Sequence, residues 1–373
     1  MKILVSRLGA LGDVVRTLPA VRLLRRTWPS ARIGWVVEPP AAPLVAGHPD
    51  VDETIVFPRA EIAAAARRGP VAFCRAVRRV VSELRGFRPD LALDFQSSVK
   101  SGLCCLLSGA PSRVGFGRGA DREASRLFAT LRVPLEQPRI NRVYRAVALA
   151  RAAGALGGPL EIDLGLTEEE LAEGRRRLDR LANGRRAVLI APFSSRRQAW
   201  KRYPLRRWCE IARGLRDSGA TPVVVAGPGE EDEARSLVAR AGPGVALPLG
   251  LPLRALAALI AAGDLMIAGD TGPMHLAWAA GVPVIALFGP TDPVLNAPLG
   301  EGHVVLAPER PTERDAVDRF PSIDANRVLE HARRVLERGR PPRPAGPVVL
   351  PAPDPHAQRP AAAGAAGVPE IQI

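Results

Sequence analysis

The 373-residue chain is short of the side chains on which several function classes depend. Aromatic residues make up only 4% of it. Single-stranded nucleic acid is usually held on aromatic platforms interleaved with basic groups. Neither Trp28 nor Phe116 lies in such a pattern, so nucleic acid is not an expected partner. The four cysteines, Cys74, Cys104, Cys105 and Cys209, form no CxxC pair. They read as reduced, buried thiols of a cytosolic protein. The five histidines, at 48, 275, 303, 331 and 356, are scattered, which argues against a His-rich metal site. Asp50-Val51-Asp52 has the spacing of a divalent-metal pair but reads as loop capping. No GxSxG, HExxH or P-loop sequence is present. No stretch approaches the roughly 18 uncharged apolar residues of a membrane span. Met1-Lys2 leads into a strand-length apolar run rather than a secretory leader. A soluble or peripheral protein is the expectation.

What is abundant is arginine. All 52 basic residues except Lys2, Lys100 and Lys201 are arginine, against 38 acidic residues, for a net charge of +14. GC-rich coding would explain a uniform excess, but the excess is not uniform. Residues 1–160 hold 25 basic and 12 acidic residues, while the remainder hold 27 and 26. The N-terminal half is therefore expected to meet something anionic.

The length favours two domains, and 47% hydrophobic residues supply a core for each. Short apolar strands alternate with helices. Lys2–Leu8, Arg32–Glu38, Glu53–Phe57 and Asp90–Phe95 are expected strands. Helices are expected over Val14–Thr27, residues 70–86 and Gln96–Leu107. The rhythm restarts at Ala187–Ala191 and runs through strands Thr221–Ala226, Asp264–Ala268 and Val282–Leu287. A charged helix over Thr167–Asn183, opened by a capping-box-like Thr167-Glu168-Glu169-Glu170, lies between the halves. This pattern predicts two doubly wound parallel-sheet domains facing each other across a cleft. The expected boundaries are 1–160, 161–338 and a disordered tail, 339–373, rich in Pro, Ala and Gly. The helix Ile323–Glu337 before the tail is expected to pack back across the domain interface.

Four segments could carry chemistry. Gly9–Asp13 is a glycine-bearing turn from the first strand into a helix, without the full GxGxxG spacing. Asp13 there reads either as a helix cap or as a base. Gly269-Asp270-Thr271-Gly272-Pro273-Met274-His275 follows an apolar strand and opens a helix. Backbone N–H groups and the Thr271 hydroxyl would form a phosphate cradle there, with Asp270 available to sugar hydroxyls. The plainer reading is a capped helix with a buried His275. Ser194–Pro204 also follows a strand; Ser194, Ser195 and Lys201 suit a diphosphate, although a solvated basic loop fits as well. Glu230, after Gly227-Pro228-Gly229, is a helix-start charge or an acceptor for ribose hydroxyls.

These segments stand in one order that resembles glycosyltransferase family 9, the ADP-heptose:lipopolysaccharide heptosyltransferases. The carrying runs are KILVSRLGALGDVVRTLPA, WVVE, DLALDFQSSVKSG, RVGFGRGADREASRLF, WKRYPLRRW, GPGEEDEA and GDTGPMHLAWAAGVPVIALFGPTDP. The WVVE run leans toward the type I group. The resemblance spans about residues 1–335 and implies the GT-B fold, two Rossmann-like domains with acceptor on the first and donor on the second. It implies inverting transfer of heptose from ADP-L-glycero-D-manno-heptose to the Kdo or heptose of a phosphorylated lipopolysaccharide precursor. No metal or other cofactor is implied. Asp13 matches the proposed general base, and Gly12, Arg122 and Arg145 fall on the acceptor side. Lys201, Thr271 and Gly272 match donor-phosphate positions, with Ser194 and Ser195 beside them. Glu230 matches the ribose position, Leu251 an adenine contact, and Asp270 and His275 the sugar side. Work on a lipid acceptor implies a cytoplasmic enzyme on the inner face of the inner membrane. The competing expectations are another GT-B nucleotide-sugar enzyme and, further off, a non-catalytic anion- or nucleic-acid-binding protein.

Overall fold

A computed structural model describes residues 1–135, 137, 139–339 and 346–352. It divides into two compact units, Met1–Gly165 and Leu166–Ile373.

In the first unit the strands are β1 (Lys2–Ser6), β2 (Arg32–Val37), β3 (Glu53–Val56), β4 (Leu91–Asp94), β5 (Ser112–Phe116) and β6 (Leu131–Val133). They form one parallel sheet in the order β3-β2-β1-β4-β5-β6. The helices are α1 (Leu11–Thr27), α2 (Ala42–Val45), α3 (Arg59–Arg68), α4 (Pro70–Phe87), α5 (Val99–Leu107) and α6 (Arg142–Ala152), and a further strand, β7, spans Leu160–Ile162. β1 is buried on both faces, as a central parallel strand requires. Gly34 on β2 lets α4 approach closely: a methyl there would lie 2.8 Å from the Phe87 ring. α5 starts later than its apolar pattern suggests. Ser98 caps it by accepting from the Ser101 N–H, and Ser101 answers with its own hydroxyl. Gln96 and Ser97 are thereby left in a loop.

The second unit contains α7 (Glu168–Ala182), β8 (Ala187–Ala191), α8 (Leu205–Asp217), β9 (Thr221–Val224), α9 (Glu231–Ala241) and α10 (Leu253–Ala262). It continues with β10 (Leu265–Gly269), α11 (Gly272–Ala279), β11 (Val284–Leu287), α12 (Pro293–Asn296), β12 (Val304–Leu306) and α13 (Ala325–Glu337). Its parallel sheet runs β12-β11-β10-β8-β9. Thr167 caps α7 in the capping box read from the sequence. The core sets Ile190, Ile267 and Ile285 of the sheet against Trp208 and Ile211 of α8. α13 buries Val328 and Ala332 in this same core.

Two further expectations are corrected. Cys104, Cys105 and Cys209 are buried, but Cys74 is exposed on α4. Within the tail, Val348–Leu350 forms a strand, β13, so disorder does not extend over that stretch. β-branched Val348 and Val349 favour extended backbone. The disorder expected of residues 340–345 and 353–373 lies outside the described residues.

Candidate active site

The order of the first sheet reverses beside β1, which has β2 on one side and β4 on the other. In such sheets the loops after the two central strands diverge and leave a crevice. Here the two loops are tied together. Gln96, after β4, accepts the N–H groups of Leu8 at 2.9 Å and Gly9 at 3.4 Å through its Oε1. Asp94 fixes Gln96 in turn, its Oδ1 accepting the N–H of Gln96 at 3.1 Å and of Ser97 at 2.8 Å. Ser97 takes a left-handed φ of 61° in this turn.

α1 begins earlier than its sequence suggests. Ala10 is its N-cap, with no side-chain cap bond, and Asp13 is the third helical residue. The capping alternative for Asp13 is therefore set aside; its carboxylate faces arginines instead. Arg7 reaches Asp13 at 2.5 Å, and Arg16, one turn along the helix, contacts the other carboxylate oxygen. α6 packs beside α1 and brings Arg142 and Arg145 to the same place. Asn141 starts α6 by accepting the Val143 N–H at 3.0 Å. The Arg145 guanidinium lies over the Phe116 ring at 4.4 Å and donates to the Ala120 carbonyl.

A cavity of about 320 Å³ results. Its lining includes Arg7, Arg16, Arg59, Arg122, Arg142 and Arg145, with Asp13 and Glu38 as the lining carboxylates and Gln96 at its side. Burial opposes the charge of Asp13, but Arg7, Arg16 and Arg142 outweigh it and hold the carboxyl far below the usual carboxylate range. Burial, then the like charges of Arg142, Arg7 and Arg122, lowers Arg145 to about 10. The cavity thus carries an excess of positive charge around the Asp13 carboxylate. It suits a multiply anionic ligand bearing a hydroxyl.

Asp94 behaves in the opposite way. Burial pushes it up to about 6, against the hydrogen bonds it accepts from Ser101, Ser97 and Gln96. Its folded value lies above its unfolded one, so its contribution to stability is fully present below about pH 4 and is lost as the pH rises through 6. Asp94→Asn should remove this slope. The variant's unfolding free energy minus that of the wild type is expected to grow by about 2 kcal/mol between pH 4.5 and 7.5, as chemical denaturation would measure. A difference independent of pH would mean that Asp94 titrates as an ordinary carboxylate.

Of the acceptor-side residues expected from sequence, Asp13, Arg122 and Arg145 line this cavity, while Gly12 is buried within α1 and is not part of the lining. Arg7, Arg16, Arg59 and Arg142 were missed. Their only sequence signal was the charge excess of residues 1–160.

In the second unit the expected donor residues gather where parallel strands end. β8 and β10 are neighbours, so the loop holding Ser194, Ser195 and Lys201 lies beside the turn Asp270-Thr271-Gly272. A methyl at Gly269 would come within 4.0 Å of the Lys201 carbonyl oxygen. The Ser194 hydroxyl donates to the Gln198 carbonyl, and Arg202 donates to the Ser194 carbonyl while pairing with Glu233 at 2.6 Å. Thr271 is the N-cap of α11, with its hydroxyl 3.3 Å from the Gly269 carbonyl. His275 Nε2 lies 3.6 Å from Asp270 Oδ1, and both residues are buried. After β9, Glu230 accepts the Gly227 N–H at 2.8 Å, and burial raises its carboxyl despite that bond. An isolated parallel bridge joins Val223 on β9 to Ala246, five residues before Leu251. No group of three or more potential metal ligands occurs among the described residues. Asp52 accepts the Ile33 N–H at 2.6 Å and pairs with Arg25, which matches the loop role read for Asp50-Val51-Asp52.

The model of Glycosyltransferase family 9 (heptosyltransferase) matches residues 77–322. The chain belongs to this family. It is a glycosyltransferase of the GT-B fold. A similar protein is Lipopolysaccharide heptosyltransferase 1 of Pseudomonas aeruginosa, 29% identical over 323 residues, covering 83% of this chain and 85% of that one. Among solved structures, E. coli ADP-heptose lps heptosyltransferase II superposes with a TM-score of 0.72 at 26% identity, over 91% of this chain and 99% of that one. E. coli heptosyltransferase WaaC with ADP gives 0.73 at 23% identity, over 90% and 100%. The family match begins at residue 77, so Asp13, Arg7 and Arg16 of this glycosyltransferase precede it.

Proposed function

We propose that this glycosyltransferase moves a heptose from ADP-L-glycero-D-manno-heptose to the Kdo or heptose of a phosphorylated lipopolysaccharide inner core, with inversion and without a metal. The observation that carries the reading is Asp13, ionised within an arginine-walled cavity that suits an anionic, hydroxyl-bearing acceptor. The names of the relatives support the donor and the acceptor class.

In this reading an acceptor hydroxyl oxygen attacks the anomeric carbon of the donor. The bond from that carbon to the ADP oxygen breaks, and its electron pair leaves with ADP. The hydroxyl proton passes to the Asp13 carboxylate. A carboxyl held this low is a weak base in the ground state, so a lifted pKa does not supply its basicity. Proton transfer is instead favoured late, once oxocarbenium character at the sugar has made the attacking hydroxyl acidic. An anionic acceptor would also pair with the surrounding arginines and weaken their hold on Asp13. On the donor side, charge growing on ADP would meet Lys201 and the N–H groups at the start of α11, fixed donors in place of a cation.

Calorimetric titration with ADP, UDP and GDP in EDTA tests the donor. ADP is expected to bind at least ten-fold more tightly than the other two. A preference for UDP or GDP would retain the fold and discard ADP-heptose.

A further inference from the structure

The hairpin of α3 and α4 has little to do with the core of its own unit. From Arg59 to Arg79 only Ala65 is buried. α4 reaches the core only with Val80, Leu84 and Phe87 in its last turns. The first half of α4 packs on α3 and is otherwise open. Gly69, at φ +121°, makes the turn between the two helices.

That turn presents apolar side chains to solvent. Val71 is 73% exposed and Phe73 40%. Around them stand Arg67, Arg68, Arg75 and Arg78, all exposed. Over residues 59–79 there are six arginines and a single acidic residue, Glu61. Arg59, the first residue of α3, lines the arginine-walled cavity, so the base of the hairpin adjoins the candidate acceptor site.

We propose that the α3–α4 hairpin docks this protein on an anionic lipid bilayer, with Val71 and Phe73 entering the headgroup boundary and the flanking arginines holding lipid phosphates. The proposal rests on the reading of a lipid-linked acceptor, because it places the cavity entrance where such an acceptor's sugar headgroup emerges. A protein partner fits less well. A stable protein interface needs roughly 800 Å² from each side, and two apolar side chains on a narrow turn offer far less. Shallow insertion needs only a small apolar tip with a basic collar, and arginines reach headgroups while their stems lie along the apolar boundary. A sequence-tolerant nucleic-acid surface would want several stacked aromatics, and Phe73 stands alone between Arg59 and Arg79.

The test is co-sedimentation of the full chain with vesicles of phosphatidylglycerol and phosphatidylethanolamine, against vesicles of phosphatidylcholine alone. The wild type should prefer the anionic vesicles, and the preference should fall steeply in high salt. Each arginine at an anionic surface contributes about a five-fold factor in partitioning. Arg67→Gln/Arg68→Gln should therefore weaken binding by about 25-fold. Phe73→Ser should weaken binding to anionic vesicles at least ten-fold, with the residual attraction still salt-sensitive. All these side chains are exposed, so melting temperatures should be unchanged, as should heptose transfer to a delipidated acceptor. Equal binding to both vesicle types, variants that sediment like the wild type, or hairpin-dependent binding of an oligonucleotide in preference to vesicles would each overturn the proposal. Hairpin-dependent vesicle binding in a protein that transfers no heptose would leave the surface standing and remove the acceptor reading. Transfer without vesicle binding would do the reverse.

Discussion

Asp13→Asn is expected to lower heptose transfer by about 10²- to 10⁴-fold, the range covered by a lost general base, while ADP affinity stays within a few-fold. The amide keeps the shape of the side chain but takes no proton from the acceptor hydroxyl. It also leaves Arg7 and Arg16 without the carboxylate they now share. Removing one partner of such a cluster is destabilising, so a fall in melting temperature at neutral pH should accompany the kinetic loss. Asp13→Glu separates the two effects. It keeps the charge, and so should keep most of the stability, but it displaces the carboxylate by a methylene and should still transfer slowly. Single-turnover transfer and ADP calorimetry on the same preparations decide the matter. Transfer within ten-fold of wild type in Asp13→Asn would falsify the role of base and leave Asp13 as a counter-ion for the arginines.

Lys201→Ala should weaken ADP binding by about 10- to 100-fold, the scale of a lost hydrogen bond between charged groups. The lysine belongs to the short helical turn Arg196–Lys201, whose last carbonyl lies against Gly269, the residue before the Asp270-Thr271-Gly272 turn. In the proposed donor site an ammonium from this turn would meet the same diphosphate that the start of α11 would hold. Lys201→Arg should recover only part of the affinity, because a planar fork and a compact point charge satisfy phosphate oxygens differently. Unchanged ADP affinity in Lys201→Ala would exclude this side chain from the donor site. Gly174, where α7 crosses α10 and a methyl would overlap the Ala258 carbonyl, is remote in the chain from these loops.

Strands and glycine turns were legible because their signals are local. Ala187–Ala191 has the bounds that its apolar run suggests. The start of α1 was not legible, because a helix opened by Ala10 with no side-chain cap announces nothing in sequence. The same limit governs the site. Asp13 stands out in GLGD-like surroundings as a carboxylate where an anion cradle would have been usual. Arg142 and Arg145 come to it from a helix more than a hundred residues later. In a chain whose basic residues are nearly all arginine, composition and spacing mark neither, and the family resemblance pointed to Arg145 alone. Their tertiary placement by α6 against α1 distinguishes them. The two carboxylates' opposite character was not legible either, because it depends on what surrounds each in the fold, guanidinium groups for Asp13 and hydroxyls and amides for Asp94.

The position of β1 in its sheet bears on how the protein is made. Strand β1 pairs on one side with β2, about thirty residues later in the chain, but on the other with β4, where Lys2 N–H meets the Asp90 carboxylate across 88 residues. Such non-local pairing closes slowly. Until α6 has emerged, Asp13 can pair with Arg7 and Arg16, but the cavity lacks the wall that Arg142 and Arg145 supply. A nascent chain halted before Arg142 would thus carry Asp13 in a cavity short of two of its six arginines. The full arginine wall is completed late in synthesis, after most of the first unit has been made.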